Sequence, residues 1–214
     1  LSQLPEEGRV AVIGGARAPV LAGLRQNSGQ GLLVVVPGPE RARGLLEQLS
    51  LWLGLPDSSV CLFPELELSP ELEVAPEPVG GRERLRLLAR LHEGQALPAV
   101  ILAPIAAVAQ PVLAPTRYQA KRQHLAVGDR LSLEAMLAQW VKWGYEAVPT
   151  VETPGTFARR GGILDVFPPQ QEQPLRIELL GSQVESLRPF DSATQRSLAQ
   201  VSSATIGPAR EPPG

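Results

Sequence analysis

The chain has 214 residues, 43% of them hydrophobic, with a mean hydropathy near zero and a formal net charge of -2. Those values describe one large or two small globular domains and argue against a dedicated nucleic-acid binder, whose affinity comes mainly from Lys and Arg neutralising phosphates. No run approaches the roughly 20 apolar residues of a membrane span, and no basic, apolar leader follows Leu1; a cytoplasmic, monomeric protein without membrane contact is expected.

Cys61 is the only cysteine, which excludes an internal disulfide and points to a buried, inert thiol. His92 and His124 lie far apart in sequence, so no metal site is expected.

Four short aliphatic runs, at 9–13, 32–36, 59–63 and 99–103, have the form of strands buried on both faces. Helices fill the gaps. Pro39 is placed as the first residue of one; Ala42, Leu45, Leu46, Leu49, Trp52 and Leu53 recur at helical spacing, and Gly54 ends it. A second, over 81–93, turns Leu85, Leu88 and Leu91 inward and sets Arg82, Arg86 and Arg90 along a solvated face. Alternating β and α elements imply a parallel sheet with helices packed on it.

In such a fold the first strand-to-helix turn commonly holds phosphates, and here it reads Val12-Ile-Gly-Gly-Ala-Arg-Ala-Pro19. A working P-loop, G-x-x-x-x-G-K-[ST], needs a lysine for the β and γ phosphates and a hydroxyl for magnesium. The first lysine in the chain is Lys121. Gly14, Gly15 and Ala16 therefore read as a tight turn before a helix. No Ser/His/Asp or paired-carboxylate arrangement offers a substitute chemistry, so the chain is expected not to be an enzyme and to need no cofactor. Between Phe63 and Tyr118 there is no aromatic residue, and Glu65, Glu67, Glu71, Glu73 and Glu77 stand among prolines as an extended, solvated connection.

The proline-bearing segment 110–117 marks a domain boundary, giving a first α/β domain over 1–115 and a second, α+β domain over 116–200. Ser132 is an N-cap, with Leu131 and Met136 at the positions of a hydrophobic staple. Leu133, Met136, Leu137, Trp140 and Val141 then form an apolar stripe that Gly144 ends. Residues 153–198 read as a β-meander, with a hairpin turning at Gly181-Ser182, because glycine takes the positive φ that a two-residue turn needs. That register puts Leu175, Ile177 and Leu179 on the core face with Val184, and Arg176, Glu178 and Leu180 on the other. The stripe of the helix is expected to pack on the core face.

Arg160-Gly-Gly-Ile-Leu-Asp-Val-Phe-Pro-Pro169, then Arg176-Ile-Glu-Leu-Leu180, Glu185-Ser-Leu-Arg188, Phe190-Asp191 and Gln195-Arg-Ser-Leu198 are the residues that carry a family likeness. They closely resemble the second domain shared by UvrB and the UvrB-like amino-terminal region of bacterial transcription-repair coupling factors. The resemblance covers essentially the whole chain, strongest over 128–198. It implies a docking domain for UvrA, with contacts falling on Arg160, Arg176 and Leu180, the last standing where the coupling factors commonly have an aromatic. By the same resemblance, the first domain is a degenerate P-loop NTPase-like domain with Gly14, Gly15 and Ala16 as its phosphate-loop remnant. It lacks the aromatic hairpin with which UvrB engages damaged DNA. Residues 201–214 would be a tail returning to the first domain.

The function implied is a non-catalytic adaptor of transcription-coupled nucleotide excision repair that recruits UvrA by mimicking UvrB. RNA polymerase, double-stranded DNA and ATP would belong to other parts of a parent protein. Two rivals are a nucleotide-binding ATPase domain with an atypical phosphate loop and a weak DNA-binding module using Arg82, Arg86 and Arg90. On strand alternation alone, neither Arg160 nor Arg176 is needed to fill the core, so truncating either is expected to leave the melting temperature within a few degrees.

Overall fold

The computed structural model of the protein describes residues 11–54, 59–66, 80–94, 96–112 and 114–211. By their internal contacts the residues divide into two compact units, 1–111 and 112–214. No helix among the described residues is long and apolar enough to cross a membrane.

The first unit is α/β. A 3-10 turn at Gly14–Ala16 leads into α1 (Arg17–Ser28), followed by β1 (Leu32–Val36), α2 (Pro39–Leu53), β2 (Val60–Leu62), α3 (Gly81–His92), β3 (Val100–Pro104) and α4 (Ile105–Ala109). The three strands run parallel in the order β1-β3-β2. Parallel neighbours require crossovers, which the helices supply. Pro39 opens α2, where its missing N–H costs nothing, and Gly54 closes it in the left-handed region at φ 56°. Ala42, Leu45 and Leu49 bury one face of α2 with Val36, Val60, Val100 and Leu102 of the sheet. Trp52, although in phase with that stripe, lies exposed in the last turn.

Expectations for this unit change in its first strand and in α3. Residues 11–13 are irregular rather than strand, and the rest of the run 9–13 lies outside the described residues, as do Glu67, Glu71, Glu73 and Glu77 of the acidic segment. In α3, Leu85 and Leu88 are buried as expected, but Leu91 is exposed and a charged side chain, Arg84, is buried completely. Its guanidinium lies 4.2 Å from the Phe63 ring centroid and donates to the Pro64 carbonyl at 3.1 Å. Partners of this kind offset the desolvation of a buried cation.

The second unit contains α5 (Pro115–Gln119), β4 (Gln123–Ala126), α6 (Leu133–Lys142), β5 (Glu146–Ala147), β6 (Thr156–Arg160), β7 (Ile163–Val166), β8 (Leu175–Leu180), β9 (Gln183–Pro189) and β10 (Ser203–Ile206). Strands β5 to β9 form one sheet in sequence order, antiparallel from β6 onward. Ser132 caps α6, its Oγ accepting from the Ala135 N–H, and Gly144 follows the helix at φ 91°. Met136 and Trp140 pack with Leu164, Val166, Leu175, Ile177, Val184 and Leu187, so the helix covers the face that alternation assigned to the core. Val141 points away and is exposed.

Residues 201–211 are built into the second unit. β10 pairs antiparallel with β4, and Ile206 and Ala209 are buried in the α6 core. The backbone continues this attachment: Tyr145 donates its hydroxyl to the Gly207 carbonyl at 2.8 Å, and the Ala209 N–H donates to Trp143. Burial holds the Tyr145 phenol neutral by raising its pKa well above the usual value.

Candidate functional site

Two hairpins of the second unit turn at the same end of the sheet. Arg160 pairs with Ile163 across Gly161 and Gly162, and Leu180 pairs with Gln183 across Gly181 and Ser182. Gly161 and Gly181 have φ of 59° and 64°, where a side chain is strained. Gly162 is needed for a different reason: a Cβ there would stand 2.8 Å from the Leu179 carbonyl oxygen, because its own carbonyl accepts the Leu179 N–H. The two turns are thereby stitched together through β7 and β8.

The outer face of this end carries a compact set of side chains. Ile163 lies opposite Glu178 in the register, and Leu180 follows on the same face two residues later. Leu180 is 70% exposed and Ile163 37%, a bare aliphatic pair at the sheet end. A bulge, with Glu185 left unmatched between Val184 and Ser186, interrupts the regular pairing beside them, and the Ser186 hydroxyl donates to Glu178.

Behind the pair lies an ionic cluster. Asp165 is 1% exposed in the middle of β7, and it accepts from Arg176 twice, Nε to Oδ1 at 2.8 Å and Nη2 to Oδ2 at 2.9 Å. Arg160 donates its Nη2 to the same Oδ2 at 2.8 Å. Arg176 is further held by the Gln195 carbonyl at 3.2 Å and the Ser197 hydroxyl at 3.3 Å, with its guanidinium 4.5 Å from the Phe190 ring centroid. Its side chain is 14% exposed, whereas that of Arg160 is 52% exposed. Hydrogen bonding to Asp165 raises the Arg176 pKa further, against the opposing pull of burial.

The structure thus brings Arg160 and Arg176 together on one carboxylate, with Leu180 at the end of the same face. It corrects the expectation that neither arginine is structural: Arg176 is enclosed by Asp165, Phe190 and the 195–197 backbone and side chains. Alternation alone cannot foresee this, because Val151, Ala158, Phe167 and Phe190 form a second, smaller core on the outer face. Asp165 and Ile163 were not singled out from sequence. A carboxylate inside the run Ile163-Leu-Asp-Val166 was the available signal, since a buried acid requires a cationic partner.

Of Gly14, Gly15 and Ala16, in the first unit, Gly14 lines a cleft of about 730 Å³ between α1, α2 and the end of β1, whereas Gly15 and Ala16 do not. Among the described residues its lining includes Arg17, Glu40 and Arg41 but no lysine, serine or threonine. Arg82, Arg86 and Arg90 are partly buried rather than a solvated stripe, and Arg90 donates to the Ala96 carbonyl at 2.7 Å.

A family model described as the UvrB interaction domain matches residues 123–211, the stretch that holds the whole ionic cluster and both turns. The chain is 32% identical over 208 residues to the transcription-repair-coupling factor of Bacillus subtilis, covering 97% of this chain and 17% of that protein. It is 35% identical over 202 residues to that of Myxococcus xanthus, covering 92% and 17%, and 33% identical to that of Haemophilus influenzae, covering 94% and 17%. The chain therefore spans about a sixth of the length of these relatives. Its second unit carries the UvrB interaction domain, and the chain as a whole belongs to the transcription-repair-coupling factors, as their UvrB-like module.

Proposed function

We propose that this chain is a non-catalytic adaptor of transcription-coupled nucleotide excision repair that recruits UvrA through the outer end of its second sheet, mimicking UvrB. The observation that carries the reading is the half-exposed guanidinium of Arg160 beside the bare Leu180 and Ile163, within the matched UvrB interaction domain. A cation fixed next to apolar surface is the composition of an interface anchor rather than of an ordinary solvated face. The names of the relatives support the repair context. In a parent protein RNA polymerase and double-stranded DNA would be partners of other segments, and ATP would serve a motor outside this chain. We further read the first unit as a P-loop-like domain whose phosphate loop has degenerated at Gly14, Gly15 and Ala16, and the second as similar to domain 2 of UvrB. The setting is cytoplasmic.

Calorimetric titration of the chain with UvrA, without nucleotide, tests the proposal. Binding is expected, and Arg160→Ala should weaken it by about 2 kcal/mol or more, the cost of truncating one side of a desolvated charge pair. Leu180→Ala should cost about 1 kcal/mol through lost apolar burial. Failure to bind, or binding indifferent to both substitutions, would overturn it.

A further inference from the structure

We infer that Asp165 is a positioning residue for the docking face: buried beneath it, the carboxylate holds the Arg160 guanidinium in place for a partner that Asp165 itself does not touch. The inference rests on the proposed UvrA reading of this face. Three of the roughly four lone-pair sites of the Asp165 carboxylate are filled, two by Arg176 and one by Arg160. Arg160 commits one N–H of its Nη2 to this bond, so most of its five N–H groups remain available at the half-exposed surface.

Charge points the same way. One carboxylate serves two guanidiniums, and Arg160 is the exposed end of the cluster. Glu178, the acid of β8, accepts from the Ser186 hydroxyl, and its charge acts on Arg176. The Arg160 guanidinium is therefore the charge presented outward beside Ile163 and Leu180, and the surface fits an acidic side chain with an apolar neighbour on the partner. Without Asp165, Arg160 would be an ordinary mobile surface arginine, and binding would have to immobilise it at the moment of contact.

A double-mutant cycle tests this. Asp165→Asn keeps the side-chain shape while removing the charge, and it should weaken UvrA binding about threefold to tenfold, the cost of ordering one long side chain. In an Arg160→Ala background the same substitution should leave the affinity unchanged, although it lowers the melting temperature in both. Equal losses in the two backgrounds would mean that Asp165 acts through the fold, and would overturn the inference. Arg160→Ala without effect would overturn this inference, and with Leu180→Ala also silent it would sink the docking reading as well; a clear Arg160 effect with no effect of Asp165→Asn would sink only the positioning role. The unsubstituted chain supplies a second measurement that depends on no variant folding: NMR relaxation of arginine Nε–H groups. Arg160 is expected to be more restricted than its exposed neighbour Arg159, and equal mobility would overturn the inference.

Discussion

Removing Arg176 would take the bidentate partner from a carboxylate that is 1% exposed. Breaking a buried pair costs about 3 to 5 kcal/mol because the remaining charge is left uncompensated. Arg160 still compensates Asp165 in part, so Arg176→Ala is expected at about 3 kcal/mol, the low end of that range. Arg160→Ala, truncating a half-exposed side chain, should cost well under half as much, and denaturant melts of the two variants check the ordering. A second residue-scale expectation concerns the loop after β9. The Thr194 N–H and, next, its hydroxyl hold the Asp191 carboxyl below its ordinary value of 3.8. A lowered folded value means that the contribution to stability is present above the ordinary carboxylate range and is lost as pH falls through the folded value. NMR titration of Asp191 should therefore give a midpoint below 3.8 that rises in Thr194→Val, where the hydroxyl is gone but the N–H remains. The family resemblance is what joins Arg160 to Arg176 at one docking surface, since alternation assigns a face only to Arg176. That Arg176 is enclosed was not readable from sequence, because Phe190 and Gln195 reach it from 14 and 19 positions along the chain, and period-two alternation carries no information at that distance.

The hairpin turns carry the strictest local requirements among the elements of the second unit. Gly161→Ala places a side chain at φ 59°, a cost of about 1 to 2 kcal/mol. Gly162→Ala forces a Cβ to within 2.8 Å of a backbone oxygen in β8 and so has to part the two hairpins. It is expected to be the more damaging of the two to stability and, by displacing Arg160 and Leu180, to UvrA binding; thermal melting paired with calorimetry measures both. These turns, the capped α6 and the inward row of β8 were legible because each has a local signature: Gly-Gly, Ser followed by an apolar stripe, alternation ended by glycine. β10 had none. Its register is set by β4, nearly 80 residues earlier, and by the tie from Tyr145 to Gly207. Ile206→Ala should accordingly cost about 3 kcal/mol, as a large-to-small change in a closed core. Deletion of 201–214 should abolish the cooperative near-UV transition of the second unit, whereas a true tail would leave it intact.

At the scale of the whole molecule, the two units differ in what their chemistry can support. The second presents an ion-paired and apolar end to its sheet, while the first offers a glycine turn before α1 and a cleft beside it. Phosphate binding at such a turn depends on free backbone N–H groups, on a lysine that follows the phosphates and on a hydroxyl for the metal. Here α1 opens with Arg17, Ala18 and Pro19, and proline has no N–H to give. Among the described residues the cleft lining holds no lysine or hydroxyl side chain and includes the carboxylate of Glu40, which would oppose a triphosphate even though it is paired with Arg43. The expected outcome is therefore no heat in a calorimetric titration with ATP and magnesium, and no hydrolysis. Thermal melting supplies an independent measure, since a ligand at about 100 times its Kd stabilises the folded state by about 2.7 kcal/mol. If ATP bound with a Kd of about 10 μM, about 1 mM would thus raise the melting temperature of the first unit by several degrees. An unshifted transition with ATP, beside a shifted one with UvrA, is the result expected of an adaptor; a shift with ATP alone would restore the nucleotide-binding reading of Gly14, Gly15 and the cleft beside them.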